Sequence, residues 1–245
     1  MEAGRIGGCS NCHQEACSWI FSELQPEEFA QFTRLVQHVS YEAEETVFQE
    51  GALPFGVYIV CRGKVKVVEK SANGKRQILK LLRSGEILSE ESLFSDGGYI
   101  SFARTLEPST LAFIPKEKFL QFIKDHPSVA FKLLEKLARE LVAFRSKLVE
   151  VAYGSSEERL ARLLLAIGRQ FGRPERGQLD LGLDLSRAEL AELAGIAPET
   201  AIRTLARLRE AKLIQLEGHR IILLDPEGLK RLARPLPIAV RENLL

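Results

Sequence analysis

The sequence has no long apolar run, no secretion signal and almost no net charge. Its 245 residues carry a net charge of +1, which provides no general basic surface for nucleic acid. No apolar stretch approaches the roughly 20 residues that cross a bilayer. The N-terminus, MEAGRIGGCS, lacks the basic and apolar regions of a signal peptide. We therefore expect a cytoplasmic protein without a membrane partner.

The motifs of common catalytic sites are also missing. The chain has no glycine-rich phosphate loop, and none of its four histidines stands in an H-x-x-x-H or nucleophile setting: His13, His38, His126 and His219. Glu90 and Glu91 are adjacent, so on a strand they would point to opposite faces and could not share acid–base work. The sequence predicts that the protein is not an enzyme.

Cysteine is scarce but clustered. The chain has four cysteines, and Cys9, Cys12 and Cys17 lie within nine residues, whereas Cys61 stands alone. In a reducing compartment such clusters bind metal or sense redox more often than they form structural disulfides. The residues leave several chemistries open: a zinc site with His13 in place of Cys61, haem attachment at C-x-x-C-H, or a thiol–disulfide switch. Cys61 can equally be an ordinary buried strand residue.

The first half of the chain predicts a β-structure behind a short helical lead-in that includes Pro26. Between residues 39 and 115, β-rich runs such as VYIVC and KVKVVEK alternate with glycine-marked turns. Asn73-Gly74, between KVKVVEK and QILKLL, is a strong hairpin signal. Turns at this regular spacing are typical of an antiparallel roll or barrel, and we assign it to residues 20–125, after a cysteine-rich segment at 1–19.

A long helix is predicted at residues 126–153. Apolar residues recur at alternating intervals of four and three, at Ala130, Leu134, Leu137, Leu141, Phe144, Leu148 and Val151. This heptad pattern favours a dimer seam made by Leu134, Leu137, Leu141, Phe144 and Leu148. The alternative is a helix that packs on its own domain, since Leu133 and Val142 widen the apolar face. Gly154-Ser155-Ser156 ends the helix and caps the next one, in a further domain at 154–245.

The segment LSRAELAELAGIAPETAIRTLARLREAKLI predicts two helices around one tight turn. Ser186 and Glu189 form a capping box, Gly195 lies at the reversal, and Pro198 starts the second helix. LIQLEGHRIILLD then alternates like a hairpin that turns at Glu217-Gly218. Two helices around a glycine turn, followed by a hairpin, describe a winged helix-turn-helix.

The second helix of this pair would expose Glu199, Thr200, Ile202, Arg203 and Arg207. Arginine donates two hydrogen bonds to guanine in the major groove, and glutamate accepts one from cytosine. Residues 155–245 carry 15 basic and 13 acidic side chains, a balance compatible with DNA binding. The alternative for Glu199 and Arg203 is an i,i+4 ion pair on a solvated helix.

A glycine-punctuated roll, a long dimer helix and a winged helix-turn-helix with ETxxR resemble the CRP/FNR transcription regulators over residues 20–235. The resemblance implies an α+β protein with an N-terminal antiparallel β-roll, a jelly roll like that of cyclic-nucleotide-binding domains. It implies that Glu199 and Arg203 read a TGA-type half-site and that Ser186 and Arg187 contact backbone phosphates. It further implies a homodimer on palindromic double-stranded DNA and RNA polymerase as a partner. The competing function is a sensor module that regulates a protein and does not bind DNA.

The effector is expected to be redox state or oxygen rather than cyclic AMP. The cyclic-AMP branch of the family has F-G-E-L followed by an arginine; here Ser89 replaces the glycine and Ile100 the arginine, although Glu90 is retained. SFARTLEPS resembles the FNR branch, whose N-terminal cysteines hold an iron–sulfur cluster. The resemblance implies that Cys9, Cys12 and Cys17 are ligands.

The fourth thiolate of that branch comes from a later strand, where this chain has Phe113, so Cys61 is the remaining candidate. The alternatives to the cluster are zinc, non-covalent haem, thiol oxidation or a small ligand in the roll.

Overall fold

The computed structural model describes residues 19–95, 97–175 and 177–233. The chain forms two compact units that meet in sequence at Leu137 and Ala138. We call them the N-terminal unit and the C-terminal unit. Residues 1–18 of the predicted cysteine-rich segment, which include its three cysteines, lie outside the described residues.

The N-terminal unit consists mainly of eight strands. A 3₁₀ helix at Trp19–Phe21 precedes α1, Pro26–Thr33. The strands are β1 (Gln37–Tyr41), β2 (Thr46–Phe48), β3 (Gly56–Arg62), β4 (Lys64–Lys70), β5 (Arg76–Arg83), β6 (Ile87–Leu88), β7 (Phe102–Thr105) and β8 (Ser109–Pro115). A second 3₁₀ helix, Glu90–Phe94, follows β6, and α2 spans Lys116–Asp125.

The eight strands form two antiparallel sheets. One has the order β1-β8-β3-β6 and the other β2-β7-β4-β5. The predicted hairpin at Asn73-Gly74 joins β4 to β5, with Val65 paired to Leu82 and Lys70 to Arg76. The predicted antiparallel roll is therefore confirmed.

Two apolar clusters hold the roll together. The first contains Ile20 and Phe21 from the 3₁₀ helix, Phe32 from α1 and Phe119 from α2, each at most 1% exposed. The second lies between the sheets and includes Phe48, whose ring stacks on Tyr99 at 4.1 Å between centroids. Side chains of both sheets and of the flanking helices thus exclude water from the same unit, which is the main stabilising contribution to such a fold.

Helix α3 spans Pro127–Tyr153 and begins one residue later than the predicted 126. Helix α2 ends at Asp125, and His126 between the two helices has a non-helical conformation, because a proline disfavours the helical conformation in the residue before it. Val129 and Leu133 are 1% and 3% exposed in the first apolar cluster, and Leu137 packs against that cluster. The first part of α3 therefore packs on its own unit, as the alternative interpretation of the apolar face expected.

Most of the predicted seam lies on the exposed side of α3. The exposed fractions are 61% for Leu134 and for Leu141, 44% for Phe144 and 71% for Leu148. Leu137 differs because it packs against the apolar cluster of the N-terminal unit. The apolar pattern of α3 is therefore divided between a buried face and an exposed one.

In its described residues, up to residue 233, the C-terminal unit contains the end of α3 and four further helices. Its elements are α4 (Ser156–Phe171), β9 (Arg173–Glu175), β10 (Gln178–Asp180), α5 (Arg187–Ala194), α6 (Pro198–Glu210), β11 (Ile214–Glu217), β12 (Arg220–Leu223) and α7 (Pro226–Leu232). The strands form one sheet of order β11-β12-β10-β9. Ser155 caps α4, as predicted, and it does so in a capping box with Glu158.

Three local features differ from the sequence analysis. Glu90 and Glu91 lie in a 3₁₀ helix and not on a strand, because the chain turns immediately after the two-residue β6. Helices α2 and α7 were not predicted; both are short, and α2 begins directly at the end of β8 without a separating turn.

In the parts of the chain that the structure describes, no helix is both long enough and apolar enough to span a membrane.

Candidate DNA interface and sensor region

The helix pair α5–α6 is fixed by its caps. Ser186 Oγ accepts a hydrogen bond from the Glu189 amide at 3.1 Å, and a Glu189 carboxylate oxygen accepts from the Ser186 amide at 2.8 Å, which confirms the predicted capping box. Gly195 ends α5 with φ of 64°, a left-handed conformation that costs other residues about 1–2 kcal/mol. Pro198 then begins α6. These elements make the tight turn that the sequence predicts.

Helix α6 has one buried and one exposed face. Ala201, Leu205 and Leu208 are at most 1% exposed. On the other face Glu199, Ile202, Arg203 and Arg207 are exposed and Thr200 is partly exposed, and Ile202 leaves 54% of its surface in solvent. The exposed face of α6 therefore presents one large apolar side chain together with charged ones to the solvent.

Glu199 and Arg203 lie one turn apart on the exposed face. The Arg203 guanidinium donates to Thr200 Oγ1 at 3.4 Å. Among the described residues no ion pair joins Arg203 to Glu199, so the i,i+4 alternative receives no support. Both side chains can therefore turn outward without breaking an ion pair.

Arg187 connects the start of α5 to the hairpin of β11 and β12. Its Nη2 donates to the Gly218 carbonyl oxygen at 2.8 Å, and burial lowers the pKa of its guanidinium. The predicted hairpin is present, but it turns at Gly218 and His219, one residue later than the predicted Glu217-Gly218, because Glu217 pairs with Arg220. Without DNA, Arg187 thus orients the wing against the helix pair; its expected phosphate contact stays a prediction.

Comparison with known proteins identifies the family. The cyclic nucleotide-binding domain family matches residues 38–126, and the Crp-like helix-turn-helix domain family matches residues 158–232. The "CRP-like cAMP-activated global transcriptional regulator" of Mycobacterium tuberculosis is 31% identical over 215 residues, which cover 88% of this chain and 96% of the relative. The chain belongs to the CRP/FNR family of transcription regulators. It is a DNA-binding regulator and not an enzyme, as predicted.

Other CRP/FNR proteins match with similar coverage. The nitrogen fixation regulation protein FixK of Bradyrhizobium diazoefficiens is 27% identical over 92% of this chain and 93% of its own. The crystal structure of a CRP/FNR family transcriptional regulator from Thermus thermophilus superposes with a TM-score of 0.67 at 26% identity, covering 81% of this chain and 98% of the other. The match therefore includes both units.

The cysteine site can be followed only at Cys61, because Cys9, Cys12 and Cys17 lie outside the described residues. Cys61 is half-buried on β3 and packs against the apolar cluster that contains Ile20 and Phe21. Its thiol lies 3.8 Å from the Ile59 carbonyl oxygen. In sequence, Cys17 precedes Ile20 by three residues. Over the described residues, no three His, Cys, Asp or Glu side chains are grouped to hold a metal ion.

The positions expected to carry the effector sites of the FNR and cyclic-AMP branches hold other residues in this chain. The Phe113 ring, at the position where the FNR branch has its cysteine, packs on Tyr58 at 5.0 Å. Ile100, at the position of the cyclic-AMP arginine, is 68% exposed. Ser89 adopts φ of 66° and donates its hydroxyl to the Gly56 carbonyl at 3.0 Å. Position 100 is therefore occupied by an uncharged, exposed side chain and not by the arginine of the cyclic-AMP branch.

Sequence reasoning missed the partners of Glu90. This carboxylate is 0% exposed; it forms an ion pair with Lys136 of α3 and lies 3.8 Å from the ammonium of Lys80 on β5. The lysines are 46 and 10 residues away in sequence, and no motif signals that they converge. Only the fold brings the three charges together.

Proposed function

We propose that the protein acts as a homodimer on a palindromic, TGA-type DNA site, and that Glu199 and Arg203 read its bases. The observation that carries the proposal is the division of α6 into a buried apolar face and an exposed face that presents both side chains. Two such helices related by a two-fold axis would meet half-sites one helical turn apart.

Helix α3 supports the dimer. Leu134, Leu141 and Leu148 recur every seven residues and are 61%, 61% and 71% exposed. Leucine at this spacing forms the seam of a two-stranded coiled coil, where each side chain would leave water on association. As a transcription regulator, the dimer would have RNA polymerase as its further partner.

We infer that the signal is redox state or oxygen, and that Cys9, Cys12, Cys17 and Cys61 hold an iron–sulfur cluster. The support is the C-x2-C-x4-C spacing together with the position of Cys61 on the apolar cluster that begins at Ile20. Four thiolates would match the ligand set of such a cluster. When bound, the cluster would supply a group that is oxidised or lost on exposure to oxygen, and this change would be the signal.

The experiment is to purify the protein without oxygen and measure iron, sulfide and zinc in the wild type, Cys61→Ser and His13→Ala. A cluster predicts stoichiometric iron and sulfide in the wild type, loss in Cys61→Ser and retention in His13→Ala. Zinc that depends on His13 would replace the proposal with a zinc site, a haem band would replace it with haem, and metal-free protein would leave thiol oxidation or a small ligand.

Cyclic AMP is a second candidate, since the 31% identical relative is named as cAMP-activated and a cyclic nucleotide-binding domain matches. The missing cation at Ile100 and the ion pairs of Glu90 favour the first proposal. Isothermal titration of the purified protein with cyclic AMP separates the two. Micromolar binding would support cyclic AMP as the effector. Absence of heat at two temperatures would exclude it, since the binding enthalpy changes with temperature and cannot be zero at both.

A further inference from the structure

The buried ion pair between Glu90 and Lys136 joins the roll to α3. Glu90 is the least accessible carboxylate that the structure describes, at 0% exposure, and the Lys136 side chain is 12% exposed. A charge removed from water is tolerated only where an opposite charge compensates it closely. The pair is thus a specific connection and not a chance surface contact.

The carboxylate is presented from a turn that is held by hydrogen bonds. Ser89, just before Glu90, donates its hydroxyl to the Gly56 carbonyl, and the Ser92 hydroxyl donates back to the Ser89 carbonyl at 2.5 Å. Lys80, on β5, adds a second ammonium 3.8 Å from Glu90. Glu90 is therefore held by β3, β5 and its own 3₁₀ helix before α3 contributes Lys136.

Two other contacts between α3 and the roll are less directional. Val129 and Leu133 are buried in the apolar cluster, and apolar contacts do not fix an orientation as hydrogen-bonded charges do. Lys132 lies 2.9 Å from Glu23, whose side chain is 54% exposed, so that pair is weakened by solvent. Lys136 follows Leu133 by three residues on the same face, so its buried ion pair with Glu90 lies beside the apolar contacts of the helix.

We propose that the Lys136–Glu90 ion pair fixes the rotation of α3 against the roll and makes Lys136 a positioning residue for DNA binding. A helix turns by 100° per residue, so a small rotation would move Leu134 and Leu141 away from a partner helix. In this regulator an internal ammonium holds α3, and no small-molecule effector is needed at Glu90. The predicted effect on DNA affinity depends on the proposed dimer. The predicted effect on the rotation of α3 does not depend on it.

The test compares Lys136→Met, Lys136→Arg, Glu90→Gln and the double variant Glu90→Gln/Lys136→Met with the wild type. Lys118→Met on α2 is the matched control because Lys118 is exposed. The readouts are the melting temperature, fluorescence anisotropy with a palindromic duplex, and hydrogen exchange of residues 127–137.

The proposal predicts that Lys136→Met and Glu90→Gln each weaken DNA binding by roughly tenfold or more and speed exchange in residues 127–137. Lys136→Arg should restore both within about threefold. The double variant should be no worse than the poorer single variant, because residues of one pair are not additive.

Two results would overturn the proposal. One is a lower melting temperature in Lys136→Met with DNA affinity and exchange unchanged, since Lys136 would then contribute only to stability. The other is strictly additive effects in the double variant. If wild-type protein does not bind the palindrome, the proposed DNA function fails, and the exchange of residues 127–137 alone decides whether the pair positions α3.

Discussion

Arg203→Ala is the most informative substitution on the proposed DNA interface. Arg203 is exposed on α6 and its guanidinium contacts only the Thr200 hydroxyl, at 3.4 Å, among the described residues. Removing it breaks no ion pair in this unit, so the stability of the protein should change little. Any loss of DNA affinity then reports on the contact with DNA.

The size of the effect follows from one arginine in each half-site. A good contact between arginine and guanine contributes about 1–3 kcal/mol of discrimination. A dimer loses two such contacts, about 2–6 kcal/mol, which corresponds to roughly 30-fold to 10⁴-fold in affinity. The loss should be confined to duplexes that carry the guanine.

The assay is fluorescence anisotropy with a TGA-type palindrome and with the same duplex altered at the guanine of each half-site. Arg209→Ala is the matched control, because Arg209 is also exposed on α6 but follows Arg203 by six residues, on another side of the helix. If Arg203→Ala and Arg209→Ala weaken binding equally, or if the loss is the same for both duplexes, then Arg203 contributes charge and does not read the base.

Three further predictions concern stability. Gly56→Ala should destabilise the N-terminal unit by about 2 kcal/mol or more, since the added Cβ would lie 2.1 Å from the Ile114 carbonyl oxygen. The measurement is urea unfolding. The control is Gly97→Ala, where an added Cβ would meet no described atom within 4 Å. Ser155→Ala should lower the free energy of unfolding of the C-terminal unit by about 0.5–2 kcal/mol, because the α4 cap is lost. The control is Ser156→Ala, at the first helical position, which should have a smaller effect. Equal effects of the two substitutions would show that the cap is unimportant. Burial, with a smaller contribution from Glu45, raises the pKa of Tyr41 to about 12 from 10.0. The folded state binds this proton more tightly, so its contribution to stability is complete below pH 10 and is lost between about pH 10 and 12. Tyr41→Phe should reduce that loss in denaturant titrations at several pH values, and an unchanged pH dependence would contradict the assignment.

Features with a local cause were predictable from the sequence. The hairpin at Asn73-Gly74, the capping boxes of Ser155 and Ser186 and the turn at Gly195 each depend on residues within four positions of one another. Backbone conformation and capping hydrogen bonds determine such features with little help from the rest of the fold. The same holds for the exposed face of α6, which follows from helical periodicity.

Features that depend on distant contacts were not predictable. From the sequence, Glu90 was interpreted as a cassette residue and rejected as half of an acid–base pair, whereas in the structure its charge is balanced by Lys80 and Lys136 from two other elements. Leu137 continues the heptad pattern but packs inside the N-terminal unit, because a helix at this position has apolar contacts on two sides. A single sequence gives the period of a helix but not which neighbour covers each face.

The measurement that tests the proposed sensing most directly is the affinity for the palindromic duplex under nitrogen and after exposure to air, in the wild type and in Cys12→Ala. If the N-terminal cysteines sense oxygen or redox state, the wild-type dissociation constant should differ between the two gases, and the Cys12→Ala constant should be the same in both. Specific binding by the wild type that is equal in nitrogen and air would contradict cysteine-based sensing, while leaving the DNA-binding function of the family intact.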